Sequence, residues 1–450
     1  MPKIIIIIIS ILCYYSSTQA NITHTIQAEI NKVAPHLNIG IKIKNLKTNK
    51  IVYAQNVERY YTFASSLKLI TILTLQQYFG IDHNFVSRII KDNNDYYLDI
   101  QDPDFSINDL DFLISRIKEA SVHEIQGNFY IINHTFTIPA VTVNKMVIDG
   151  VYCYGAPVTK VHVNKNCTRL VANAADTQGN LIKLTEQELI PYNLINKAVT
   201  VLDQHKAKVN INIVQDQLIV DGTLNKASGK ITIGAVVNDN LAHVKLMLAK
   251  MLNQYNITIT GKILSGYVPA TGQELVKRNK SFTQIASSAL KNSDNYITDY
   301  LFAEYATDFG KDDWRDTGAL LKQLVFDKFK VDLKNSVIVD GSGLSRYNML
   351  TVTQFDSFLT ALYHQNNFKS LIMMLARAGE EGSLINRFKG VQIFAKTGGM
   401  SGVSSLAGYV FDRDNTPYSF VIVSNNYIES KKRILDLEEA IIRAVIKSLS

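Results

Sequence analysis

The chain reads as an α/β (α+β) protein in which one domain, built from both chain ends, is interrupted by a large strand-rich insertion. Three observations predict this. A helix and a hairpin stand near the N-terminus, strands and a helix close the C-terminus, and the stretch between is dominated by short alternating segments. At 450 residues, 46% hydrophobic and 19% charged, the chain is long enough to bury a large core and to form more than one domain.

The N-terminal segment is read first because it sets the compartment. Lys3 supplies a positive start, Ile4 to Tyr15 is apolar apart from Ser10, and Thr18 and Ala20 are small residues at the positions a signal peptidase reads. The apolar run falls short of the roughly 20 residues that span a bilayer, so a signal peptide over 1–20, cleaved after Ala20, is favoured over an uncleaved anchor. Cys13 follows Leu12, too bulky to precede a lipidated cysteine. The expectation is an exported protein, periplasmic or extracellular. In such a compartment the even pair Cys153 and Cys167 favours a disulfide over two buried free thiols.

Thr23 to Lys32 carries apolar residues at helical spacing. Leu37, Ile39, Ile41 and Ile43 then alternate as in a half-buried strand, and Ile51 to Ala54 returns after a turn, which makes a hairpin. Thr62 to Gln77 reads as a helix with a polar start and a dense apolar run. Phe129 to Asn133, Val209 to Val214, Gln217 to Val220 and Lys230 to Val236 read as strands, interrupted by helices near Ile107 to Glu119 and Leu241 to Gln254. Helices dominate from Phe282 to Val391. Strands return at Gln392 to Lys396, Ser404 to Phe411 and Tyr418 to Ser424, and Ile434 to Leu449 is an amphipathic helix. The expected boundaries are 21–80 and 267–450 for the discontinuous domain, with 81–266 inserted as two nested subdomains.

The formal charge of +7 raises the question of a nucleic-acid partner, but the basic residues are scattered and Lys431-Lys432-Arg433 is the only tight run. Solubility and attraction to anionic cell-wall polymers account for the charge better, and no nucleic-acid partner is expected. That run, with the apolar face from Ile434 to Ile446, also admits a helix lying on a membrane surface, against the alternative of a helix packed on the sheet. With no Cys-x-x-Cys and no His-Glu-x-x-His, no metal and no cofactor are expected.

Three short patterns carry chemistry. Ser65-Ser66-Leu67-Lys68 fits Ser-x-x-Lys. Helical spacing places Ser65 Oγ and Lys68 Nζ on one face, where a lysine of lowered pKa takes the serine proton. Ser293-Asp294-Asn295 fits Ser-x-Asn: Ser293 is a candidate proton relay, and the Asn295 amide a candidate holder of substrate backbone. Lys396-Thr397-Gly398 occurs once, at a strand end. Its lysine and hydroxyl suit a free carboxylate, and Gly398 lets a substrate lie close to the strand edge. Ser115 to Lys118, Ser288 to Lys291, Ser106 to Asn108 and Ser424 to Asn426 match the first two patterns equally well, so only the ordered combination is specific. No Gly-x-Ser-x-Gly elbow supports a Ser-His-Asp esterase.

With these motifs the sequence resembles the three-domain D-alanyl-D-alanine carboxypeptidases/endopeptidases, a low-molecular-mass class of penicillin-binding proteins. The resemblance runs along almost the whole mature chain. It includes Gln101-Asp102-Pro103-Asp104, Tyr154-Gly155-Ala156-Pro157, the Asp340 to Arg346 run Asp-Gly-Ser-Gly-Leu-Ser-Arg, and Gly379 to Leu384. Some relatives carry a cysteine pair near Cys153 and Cys167. The resemblance implies a β-lactamase/transpeptidase-like serine peptidase domain, with an antiparallel sheet flanked by helices. It also implies an acyl-enzyme on Ser65 with Lys68 as general base and Ser293 assisting. Asn295, Lys396, Thr397 and Gly398 would bind substrate, and the N–H groups of Ser65 and Gly399 would form an oxyanion hole. Peptidoglycan stem peptides are the expected substrate and β-lactams the expected covalent inhibitors. Gly399 departs from the small hydroxyl residue common after Lys-Thr-Gly. The long Ser65-to-Ser293 interval, and the lack of a Glu-x-x-Leu-Asn-like segment before Lys396, speak against a compact class A β-lactamase. A β-lactamase and a catalytically silent wall-binding protein are the alternative readings.

Overall fold

A computed structural model describes residues 22–142, 145–202 and 208–449. The expected signal peptide over 1–20 lies outside the described residues. The chain divides into two compact units. One contains the described residues up to Ile81, Ala286–Thr298, and those from Trp314 onward; the other contains Asp82–Ile285 and Asp299–Asp313.

The first unit is built on a six-stranded sheet whose neighbouring strands are all antiparallel. Its order is Ala376–Arg377, Gln392–Met400, Val403–Phe411, Pro417–Asn425, Asn38–Asn45 and Ile51–Gln55. The alternation seen in the sequence sorts the side chains. Ile39, Ile41 and Ile43 join Ile393, Ala395, Leu406 and Ile422 in one buried cluster, with Ile22, Ile26 and Ile30 from a helix over 22–33. Leu437, Ile441, Ile442 and Val445 of the C-terminal helix Lys431–Leu449 enter the same cluster. The apolar face that would suit a membrane surface is therefore spent on the sheet. Among the described residues no helix is long and apolar enough to cross a membrane.

A second helix layer covers the opposite face of this sheet. Lys42, whose neighbours Ile41 and Ile43 point the other way, pairs with Asp356 at 3.0 Å, and Ser419 Oγ donates to the same carboxylate. Asp356 lies in the helix Val352–Tyr363, which starts with a capping box between Thr351 and Gln354. The helix Leu67–Phe79 is apolar on every side and buries every residue from Leu67 to Gln76, as expected of a helix in the middle of a domain. It places the residues of the first motif at its start.

In the second unit a five-stranded sheet runs Ile263–Gly266, Phe129–Ile132, Asp95–Asp99, Asn84–Asp92 and Gln273–Ser281. The helices Ile107–Glu119 and Asn240–Gln254 bury against it. A separate core, including Leu170, Leu218, Val220 and Leu224, joins a three-stranded sheet and a four-stranded sheet. Cys153 and Cys167 form a disulfide, with Cα atoms 5.2 Å apart, at the edge of this core. Gly234 lies beneath it: a Cβ there would stand 2.6 Å from Cys153 Sγ. The partition differs from the boundary expected at 267, because Gln273–Ser281 is hydrogen-bonded along its length to Asn84–Asp92 and so belongs with the second unit. Residues 299–313 also fall there.

Candidate active site

Ser65 occupies a short 3-10 turn, Ala64–Ser66, that runs directly into the helix Leu67–Phe79. Ala64 holds φ at +45°, a left-handed conformation that costs an L residue about 1–2 kcal/mol, so the surroundings must fix it. They do so from two sides. Ser405 Oγ, in the strand Val403–Phe411, donates to Phe63 O at 2.5 Å and lies 2.8 Å from Ser66 Oγ, which donates to Lys396 O at 3.1 Å. Gly343, at φ +77°, packs where a Cβ would collide with the Ala64 carbonyl.

One helical turn on, Lys68 is fully buried and its Nζ lies 2.9 Å from Ser65 Oγ. The same nitrogen lies 2.6 Å from Asn295 Oδ1 and 2.6 Å from the Ser342 carbonyl. The second motif is thus joined to the first through Asn295, which opens the helix Asn295–Asp308. Ser293, at φ +59°, sits in the break before that helix. Its Oγ accepts from Lys396 Nζ at 2.8 Å, which ties in the third motif; Lys396 Nζ also donates to Thr397 O at 2.8 Å. Lys396 is as buried as Lys68. Burial first, and the Lys68 charge second, push its pKa well below the ordinary lysine value.

The strand Gln392–Met400 is paired along its length to Val403–Phe411. On its other side it pairs with Ala376 and Arg377, opposite Ala395 and Phe394, and Ile393 O accepts from Ala378 N at 3.1 Å. Past Lys396 that edge is open among the described residues, as β-augmentation by an extended peptide requires. Thr397 Oγ1 stands at this edge and donates to Ser383 Oγ at 2.9 Å. Gly398 has a packing reason beside the one the sequence suggests. Its missing side chain points away from the open edge, toward Phe63 O, Ser405 Oγ and Ser66 N, so the glycine lets the strand press against the nucleophile's turn. Gly399 faces the other way and has no atom nearer than 3.8 Å to its Cβ position.

All seven residues Ser65, Lys68, Ser293, Asn295, Lys396, Thr397 and Gly398 therefore lie in one unit, six of them joined through side-chain hydrogen bonds and Gly398 packed against the turn of the nucleophile. Three further contributors complete the site, and of these the sequence offered only Asp340, as a residue able to brace a turn nearby. Ser342 acts through a main-chain carbonyl, which no residue type announces. Asp340, fully buried, accepts from Gly343 N at 2.7 Å, Ser345 N at 2.6 Å and Asn348 Nδ2 at 2.8 Å, and so shapes the loop that presents that carbonyl. Ser383 supports Thr397. Each falls within a run that carried the resemblance. Among the described residues no cluster of ligating side chains could hold a metal ion.

Comparison with known proteins finds the family model described as "D-Ala-D-Ala carboxypeptidase 3 (S13) family" matched over residues 22–445. The D-alanyl-D-alanine carboxypeptidase DacB of Haemophilus influenzae is 25% identical over 421 residues, 88% of each chain. The D-alanyl-D-alanine carboxypeptidase of an Actinomadura species is 25% identical over 420 residues, covering 86% of this chain and 78% of its own. Among solved structures, penicillin binding protein 4 (dacB) of Haemophilus influenzae superposes with a TM-score of 0.78 at 21% identity, over 94% of this chain and 99% of its own. A second structure of that relative, in complex with a novel β-lactam, gives a TM-score of 0.75 at the same identity and coverage.

Proposed function

The chain belongs to the D-Ala-D-Ala carboxypeptidase 3 (S13) family, and on that premise we propose that it is an exported serine enzyme. In this reading it cleaves the terminal D-Ala-D-Ala bond, and related bonds between stem peptides, in peptidoglycan, through an acyl-enzyme on Ser65. The observation that carries this reading is the environment of Lys68 Nζ. A neutral lysine amine has two N–H donors and one lone pair. Two carbonyl oxygens, of Asn295 and Ser342, stand 2.6 Å away and can take the two donors. Ser65 Oγ at 2.9 Å then stands within reach of the lone pair, as a general base needs.

The reaction follows from that arrangement. Ser65 Oγ bonds to the carbonyl carbon between the last two D-alanines as its proton passes to Lys68. The N–H groups of Ser65 and Gly399 receive the oxyanion, each such donor typically worth about 3 kcal/mol. Collapse breaks the C–N bond, and Lys396 and Ser293 carry a proton to the departing amine. Thr397 and the open strand edge hold the substrate, with Asn295 on its other side. Water then attacks the ester and returns Ser65. A β-lactam would acylate the same serine, and that acyl-enzyme would turn over slowly.

The test is intact mass of the mature protein after incubation with benzylpenicillin, for the native sequence and Ser65→Ala. One penicillin bound to the former and none to the latter is expected. Drug consumed without a lasting adduct would turn the reading to a β-lactamase, and drug left intact without adduct would turn it to a wall-binding protein. N-terminal sequencing of secreted material checks cleavage after Ala20.

A further inference from the structure

The sequence offers the lysine and the hydroxyl of Lys-Thr-Gly together to a free C-terminal carboxylate, but the geometry around Lys396 fits the lysine's share of that task poorly. Lys396 has no exposed surface, its Nζ is occupied by Ser293 Oγ and Thr397 O, and burial beside Lys68 disfavours its charged form. A substrate carboxylate at the open strand edge would meet the Thr397 hydroxyl without an available fixed cation from this motif. Gly399, where a small hydroxyl residue is common, adds no side chain.

A cation stands beside that gap. The atoms nearest to where a Cβ would project from Gly399 are Lys431 Nζ at 3.8 Å and Lys431 Cε at 3.9 Å, followed by Val403 O at 4.0 Å. Lys431 is the first residue of the C-terminal helix and is exposed. Among the described residues no hydrogen bond or ion pair engages its ammonium. The nearby carboxylate of Glu438, which feels the Lys431 charge, is already taken by Arg387 at 2.8 Å and Ser404 at 2.6 Å. Strand alternation puts Thr397 and Gly399 on the same face, so a hydroxyl and an ammonium stand along one face of the strand end, with no side chain at 399 between them.

Resting on the serine-peptidase reading above, we propose that Lys431 is a specificity residue that binds the free carboxylate of the substrate's terminal residue, together with Thr397. The glycine at 399 leaves the ammonium room to reach it. The tight basic run at 431–433 then has one member assigned to substrate, and the C-terminal helix contributes to recognition as well as to the core.

Second-order acylation rates by benzylpenicillin and by its methyl ester, which lacks the carboxylate, test this in four proteins: the native sequence, Lys431→Met, Lys431→Arg and Lys432→Met. A charge-assisted contact predicts that Lys431→Met slows the acid by about fivefold to tenfold and the ester by less than about twofold. Lys431→Arg should retain most of the acid's rate, and Lys432→Met should match the native protein on both compounds. For D-alanine release the loss should appear in KM rather than kcat. Acid and ester slowed equally by Lys431→Met, or neither slowed, would overturn the proposal. A native protein that forms no adduct would instead overturn the serine-enzyme reading on which it rests.

Discussion

Gly398 and Gly399 are neighbours under opposite constraints. At Gly399 an added methyl would meet nothing closer than 3.8 Å, an ordinary contact. At Gly398 it would meet two oxygens and the Ser66 amide of the turn that carries the nucleophile. Neither Phe63 O nor Ser66 N can move without shifting Ser65, and Ser405 Oγ is already committed to both Phe63 O and Ser66 Oγ. Gly398→Ala is therefore expected to cost about 1–3 kcal/mol of stability through overpacking, and to slow acylation by benzylpenicillin severely even where the protein stays folded. Thermal denaturation and adduct formation on the same preparation check this; a stable Gly398→Ala that acylates at the native rate would contradict it. The glycine itself was plain in the sequence, but this packing constraint was not. Which face of a strand a residue presents depends on what packs above it, and a three-residue pattern carries no record of that.

At the scale of elements, the site is a junction. The helix from Leu67, the break before Asn295, the loop from Asp340 and the strand ending at Met400 meet around two buried lysines. Alternation made the strand legible, and a polar start followed by a dense apolar run made the helix legible. The loop was legible mainly as a resemblance: its glycines and Asp340 suggested a braced turn, but nothing in the residue types announced that its contribution would be a main-chain carbonyl. The junction also predicts a pH dependence. Lys396 has its folded pKa pushed below the unfolded value of 10.5, by burial and then by Lys68. The unfolded chain thus binds more protons than the folded one between those two values, and stability from this group rises with pH across that window. Below the folded pKa the penalty of a buried charge is fully present and constant. Denaturant unfolding of native protein and Lys396→Met at several pH values should show the difference moving in favour of the native lysine as pH rises toward 10.5. A difference that stays flat or moves the other way would contradict the assigned direction.

At the scale of the whole molecule, the residues of the candidate site all fall in the unit that holds the six-stranded sheet, while the disulfide falls in the other. The domain made from both chain ends was legible because its hairpin and closing strands alternate cleanly. The insertion was legible only as a change of texture: two-residue strands such as Glu124–Ile125 and parallel pairings such as Asn193–Asn196 on Gln217–Asn225 leave no periodic signal. The separation has an energetic consequence. Closing the loop between Cys153 and Cys167 restricts the unfolded chain and stabilises the second unit by about 3 kcal/mol. Neither sulfur touches the hydrogen bonds that order Ser65 and Lys68. Cys153→Ser with Cys167→Ser should therefore lower the denaturation midpoint of the protein, while the benzylpenicillin acylation rate at 25 °C, measured on folded material, stays within about twofold of native. Circular dichroism establishes that the variant is folded before the rate is taken. Loss of acylation in a variant that retains its fold would mean that order in the second unit is transmitted to the nucleophile, and that the insertion takes part in catalysis.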